Sequence, residues 1–193
     1  QRGSTSASCP KLSIVVDPDE MFRHYLYVSG TSRTLRVHFE ELAEEACERA
    51  NLGSPRVLEL ASNDGTLLEA FRNRGGRVVG VDPAANLVQI AREKDFGIVA
   101  GYWPAVADLV YGPFDIITAC NVLAHVDSPR DFLSAALAKL DEDGEIIVEV
   151  PYCKEMILDC EFDTVYHEHL SYFLVGPLLE LLESIGAYAA DIK

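Results

Sequence analysis

Basic side chains are scarce in this chain: 16 lysines and arginines stand against 31 aspartates and glutamates, for a formal net charge of −15 at pH 7. Such a surface repels a phosphate backbone and an anionic lipid headgroup, which argues against nucleic-acid and membrane partners and favours small molecules. An anionic ligand would still need local positive charge or helix amides. Long apolar runs are missing as well. None approaches the roughly 18 residues that span a bilayer, and the opening QRGSTSASCP lacks the hydrophobic centre of a signal peptide. The five cysteines, Cys9, Cys47, Cys120, Cys153 and Cys160, form no Cys-x-x-Cys pair. An odd number scattered through apolar segments argues against a disulfide framework, so reduced thiols and a cytoplasmic location are expected. No initiator methionine opens the chain, and it is expected to be a piece of a longer protein.

What is present is enough apolar material for a core: 49% of 193 residues are hydrophobic, sufficient for one domain. After about residue 35, short β-branched runs alternate with longer amphipathic stretches, the signature of a parallel sheet covered by helices. The expected strands are RVLEL (56–60), RVVGVD (77–82), GIVAG (97–101), FDIITAC (114–120), EIIVEVP (145–151) and AYAADIK (187–193). Between them RTLRVHFEELAEEACERAN, GTLLEAFRNRG, AANLVQIAREKD, SPRDFLSAALAKLDEDG and GPLLELLESIG carry apolar residues at helical spacing, and most close on glycine. Residues 15–32 fit neither period; a short helix and loop draped over the sheet is expected, serving either as a plain cover or as a substrate lid. The chain thus divides into an N-terminal segment, 1–34, with its Ser-rich first eight residues expected to be disordered, and a domain at 35–193.

VLELASNDGTLLEAF is a strand that runs into a small polar turn and then a helix, the shape of a nucleotide-binding first β-α unit. A Gly-x-Gly-x-x-Gly is absent. Glu59, Ala61, Asn63 and Gly65 instead stand where class I S-adenosylmethionine (SAM) methyltransferases have an acidic residue followed by three alternate glycines. Asp82, closing the second strand, suits both ribose hydroxyls of an NAD or SAM adenosine. It could equally cap the helix that follows. The segment FDIITACNVLAHV, with Asn121 after the strand and His125 beyond it, resembles the fourth-strand region of SAM methyltransferases. Trp103 could stack on adenine or simply anchor the core.

Taken together, VLELASNDGTLL, GVDPAAN, FDIITACNVLAHVDSP, EVPY and FDTVYHEHLSYF resemble the SAM-dependent C-methyltransferases that act on dTDP-linked 4-keto-deoxysugars at carbon 3. The resemblance runs from about Val15 to Lys193, and Tyr166-x-Glu168-His169 is its most specific part. It implies an α/β, Rossmann-like three-layer sandwich with a mostly parallel sheet, here expected to be truncated after a sixth strand. It also implies flanking domains in the parent chain: a zinc module before this region, of which Cys9 could be the last trace, and a nucleotide-fold domain after it.

Methylating carbon requires a carbanion equivalent, which a 4-keto sugar supplies once a base removes the C3 proton. His169 is the leading base, since an imidazole ordinarily titrates at about 6.5. Glu168 is expected to orient it or share the proton. Tyr166 and His125 are suited to hydrogen-bond the developing oxyanion, a role the resemblance also implies. The family's active-site tyrosine in the N-terminal segment maps onto Tyr25 or Tyr27, with Tyr27 preferred. His167 is expected to be exposed and solvated. A zincin motif is rejected because it spaces its histidines four apart, not two, and no metal is expected. Methylation of a small-molecule hydroxyl, or a non-catalytic SAM-binding fragment, are the alternatives.

Overall fold

The computed structural model describes residues 16–161 and 165–193, so Cys9 and the first eight residues lie outside it. A short helix, α1 (Pro18–Phe22), is capped by the Asp17 side chain accepting from the Asp19 amide. The chain then runs through a loop and a single 3-10 turn to α2 (Arg33–Ala50), where Ser32 caps the first turn. A regular alternation follows: β1 (Arg56–Leu60), α3 (Thr66–Asn73), β2 (Arg77–Asp82), α4 (Ala85–Glu93), β3 (Gly97–Ala100), β4 (Phe114–Cys120), α5 (Pro129–Leu137) and β5 (Leu140–Glu149). Two helices complete the chain, α6 (Cys153–Leu158) and α7 (Val175–Ser184).

All strand pairs are parallel and the order is β3-β2-β1-β4-β5. The two-residue period of a strand sends side chains alternately to opposite faces. Val57 and Ile116 pack with Phe39, Ala43, Leu67 and Phe71 of α2 and α3. Leu58, Leu60, Ile117 and Ala119 pack with Phe132, Leu133 and Ala136 of α5 on the other side. The result is the expected three-layer sandwich. β1 lies between β2 and β4, so the chain reverses its winding direction there, and the crevice outside the strands' carboxyl ends opens at that point.

The structure departs from the sequence expectation at three places. Residues 187–193 form no strand. Gly186, with φ of 84°, ends α7, and the Ala187 amide reaches back to the Leu182 carbonyl, a helix-closing bond that turns the chain away. Tyr188 stays 80% exposed, so this stretch has neither a buried face nor a ladder, and Lys193 pairs with Glu45 of α2 instead. Among the described residues the sheet therefore has five strands, not six. Second, α5 stops at Leu137, and residues 140–144, expected to finish that helix, open β5 through a register shift against Phe114–Ile116. Arg56 holds this irregular start by binding Asp115 at 2.6 Å and Asp141 at 2.8 Å. Third, α6 falls in a stretch with too few residues for a helical period to register. The expectation for residues 15–32, a short helix with a loop, is met from residue 16 onward.

Candidate active site

A cavity of about 810 Å³ opens at the carboxyl ends of β1, β2 and β4. Ala61 and Asn63 of the turn between β1 and α3 line its floor, whereas Gly65, expected with them as a cofactor residue, packs against Phe96 and Ala91 instead. Ala61, Asn63 and Gly65 there have φ of 62°, 50° and 80°. All three therefore sit in the left-handed region that glycine enters freely and other residues enter at a cost of about 1–2 kcal/mol. The turn has kept a three-glycine geometry with one glycine. At Gly65 a Cβ would meet the Phe96 ring at 2.8 Å, so that position has no alternative.

Asp82 links this turn to β2. Its Oδ2 accepts from the Asn63 amide at 2.8 Å and its Oδ1 from the Ala84 amide at 2.8 Å. The carboxylate thus ties the β1–α3 turn to the residue that precedes α4, and it lines the cavity. Burial pushes its pKa up to about 6, against the pull of the two amides. Glu59, 4% exposed, also lines the cavity, and its Oε2 has no hydrogen-bond partner among the described residues. Burial, then the Asp82 and Asp64 carboxylates, push its pKa well above the usual range. Among the described residues, the cation that pairs with this group of three is Lys94, which binds Asp64 at 2.9 Å. A cationic ligand with hydroxyls supplies what the pocket is short of, and a SAM-type sulfonium with its ammonium and ribose fits that description.

At the end of β4, Asn121 lines the cavity with φ of 54°. Its Nδ2 donates to Glu149 Oε1 at 2.7 Å, and the other Glu149 oxygen meets His38 Nε2 at 2.5 Å. Neither His38 nor Glu149 lines the cavity, and neither is apparent from the sequence as a support for Asn121. The one signal that would have found Glu149 is its place at a strand's carboxyl end, like Glu59 and Asp82. Trp103 lines the cavity while its indole N–H is bound to the Phe132 carbonyl at 3.0 Å, which makes it an anchored wall.

The segment after α6 closes the other side. The Leu170 and Ser171 amides both donate to the Ala124 carbonyl, which fastens it to the loop after β4. Tyr166 and His169 line the cavity, with the Tyr166 hydroxyl 3.2 Å from His169 Nε2. His169 is 8% exposed and its ring contacts that of His125 at 4.9 Å. His167 is exposed, as expected.

These contacts bear on three sequence expectations: the role of Glu168, the choice between Tyr25 and Tyr27, and the role of His125. The Glu168 side chain does not line the cavity. Its Oε2 instead accepts from the Tyr25 hydroxyl at 3.1 Å, since its neighbour His169 takes the inward-facing position. Burial, then the Glu168 carboxylate, hold the Tyr25 phenol above its usual pKa. Tyr27, the preferred tyrosine, lines the cavity but is half exposed, and its backbone carbonyl rather than its hydroxyl makes the bond to Asn63. His125 Nδ1 sits 2.8 Å from the Glu168 carbonyl and must donate to it, because a carbonyl only accepts. Burial, then His169, hold its pKa below the ordinary value, while the Glu168 and Asn121 backbones pull the other way. Among the described residues, no three His, Cys, Asp or Glu side chains converge as metal ligands would.

The family model described as "Methyltransferase domain" matches residues 22–189. The C-methyltransferase NovU of Streptomyces niveus is 37% identical over 183 residues, 92% of this chain and 44% of that protein. A ubiquinone biosynthesis O-methyltransferase of Pseudomonas aeruginosa is 28% identical over 107 residues, 52% of this chain and 46% of that protein. The chain thus spans about half the length of the curated relatives it matches. Among solved structures, a SAM-dependent methyltransferase from Archaeoglobus fulgidus superposes with a TM-score of 0.62 at 22% identity, over 76% of this chain and 68% of that one. The fold is that of class I SAM methyltransferases.

Proposed function

Since this chain belongs to the methyltransferase domain family, we propose that it binds SAM on the 61–65 turn and methylates carbon 3 of a dTDP-linked 4-keto-deoxysugar. The observation that carries this is the Tyr166–His169 pair, 3.2 Å apart, in the same cavity as Glu59 and Asp82. Transfer to a hydroxyl needs one base. Transfer to carbon needs a base together with a donor for the enolate oxygen, and an imidazole beside a phenol supplies both. The C-methyltransferase relative supports the same choice.

Asp82 would hold the ribose hydroxyls, the orphaned Glu59 oxygen would face the ammonium, and Trp103 would wall the adenine. Asn121 would present its amide oxygen to the same ligand, because its nitrogen is spent on Glu149. SAM, when bound, supplies an electrophilic methyl group on a sulfonium. His169 removes the C3 proton, the C–H electron pair moves toward the C4 carbonyl, and Tyr166 donates to the oxygen that becomes negative. Tyr25, held by Glu168, and His125 position the sugar; Glu168 acts through Tyr25. Residues 16–32 form a lid, in keeping with their place in the cavity wall.

Solvent deuterium tests the base. In the parent protein without SAM, a dTDP-4-keto-deoxysugar should lose its C3 proton to deuterium oxide, and His169→Ala should abolish that exchange. Unchanged exchange and methyl transfer in His169→Ala would refute the assignment. A product methyl attached to oxygen by NMR would favour the hydroxyl reaction, and no calorimetric heat with S-adenosylhomocysteine (SAH) would mean a non-binding fragment.

A further inference from the structure

Asn63 occupies a glycine position of the cofactor turn yet spends its entire side chain elsewhere. Asparagine is among the few non-glycine residues that accept a left-handed backbone, so the turn keeps its shape at φ of 50°. Its Oδ1 accepts from the Ser29 amide at 3.0 Å and from the Asp64 amide at 2.9 Å, and its Nδ2 donates to the Tyr27 carbonyl at 3.0 Å. Its own amide donates to Asp82. One residue therefore joins the ribose carboxylate, through its backbone, to two points of the N-terminal segment, through its side chain.

That segment is fastened again further on. The Tyr25 carbonyl accepts from Asn86 Nδ2 at 2.7 Å and the Arg23 carbonyl from the Ala85 amide at 3.2 Å, both at the start of α4 just beyond Asp82. The Tyr25 hydroxyl then reaches Glu168. Gly30 passes so close to the turn that a Cβ would lie 2.6 Å from Asp64 Oδ2. Residues 23–30 thus form a strap tied to the cofactor turn at one end and to the Tyr166–His169 segment at the other.

We infer that Asn63 is a positioning residue that couples occupancy of the 61–65 turn to closure of the 23–30 strap, so that cofactor binding seats Tyr25 beside the acceptor. The inference rests on the SAM reading of that turn. A glycine would cradle the cofactor equally well; what asparagine adds is the three side-chain bonds, and two of them go to the strap. Coupling of this kind is reciprocal, and its usual size is about 5–150-fold in affinity.

Hydrogen exchange of the strap, followed by mass spectrometry on the full chain, tests it together with SAH calorimetry. In the native protein SAH should slow strap exchange by about tenfold. Asn63→Gly, which preserves the left-handed turn, should still bind SAH, weakened by no more than about tenfold, but lose that slowing. Asn63→Asp, which keeps the acceptor and loses the donor, should fall between. A melting temperature close to that of the native protein separates loss of coupling from loss of fold. The inference is overturned if Asn63→Gly retains the SAH-dependent protection, or if the native strap is unaffected while SAH binds. Should SAH not bind the native protein, the SAM reading fails by itself, and the ligand-free proteins decide the clasp. Asn63→Gly must then exchange its strap faster than the native chain, and equal rates overturn it.

Discussion

The Tyr25 hydroxyl donates to Glu168 Oε2 at 3.1 Å, across 143 residues of sequence. Through this bond the N-terminal segment is joined to the segment that carries Tyr166 and His169. Tyr25→Phe in the parent protein should lower kcat for methyl transfer by about 10²-fold, the scale on which one positioned polar group acts. Tyr27→Phe should cost less than about threefold, because the bond Tyr27 makes is from its backbone. Equal effects of the two substitutions, measured by product formation at saturating SAM, would reverse the choice between them.

Asp82 imposes opposite pH dependences on stability and on binding. Its pKa is raised in the folded protein to about 6, so its stabilising contribution is complete below the unfolded value and is lost as pH rises through about 6. At neutral pH the loss is about 3 kcal/mol. Ribose hydroxyls need the carboxylate, so SAH affinity should climb over the same interval and level off above it. Denaturant melts and calorimetry between pH 5 and 8 check both slopes, and Asp82→Asn should flatten each relative to the native chain.

Glu59 offers a cleaner separation of folding from binding. Burial and two neighbouring carboxyls penalise its charge, so Glu59→Gln should leave thermal stability at pH 7 unchanged or raise it by about 1 kcal/mol. The ammonium of the cofactor would lose its charged partner, and SAH affinity should fall by about tenfold or more. A variant that loses stability instead would mean that the carboxylate is paired in the free protein.

Ala61 bears left-handed strain without a side-chain hydrogen bond to offset it. Relief of about 1–2 kcal/mol by Ala61→Gly exceeds the added chain entropy of about 0.5–1 kcal/mol. The melting temperature should therefore rise by about 2–4 °C at most. Ala61→Val, β-branched at positive φ, should lower it.

The first β-α unit and the five parallel strands were legible because each depends on a local period or a contiguous motif. The C-terminal limits were not. Whether residues 187–193 join a sheet depends on the cap that Gly186 makes and on the pairing of Lys193 with α2, and neither is a matter of strand propensity. The α5 boundary was misplaced because Asp141 and its neighbours look like a solvated helix end until Arg56, 85 residues away, binds Asp141. Side-chain direction was least accessible. Nothing local to Glu168 says that it turns toward Tyr25, or that the carbonyl of the same residue sets the proton on His125.

The left-handed turn at Ala61 and Asn63 also bears on how such a protein can be altered. Position 63 separates two tasks that a glycine triad merges, because its backbone serves the cradle and its side chain serves the strap. Exchanging Asn, Asp and Gly there should act as a graded control, trading the speed with which the pocket opens against the firmness with which it closes. That control is available without touching any group that meets the reacting carbon.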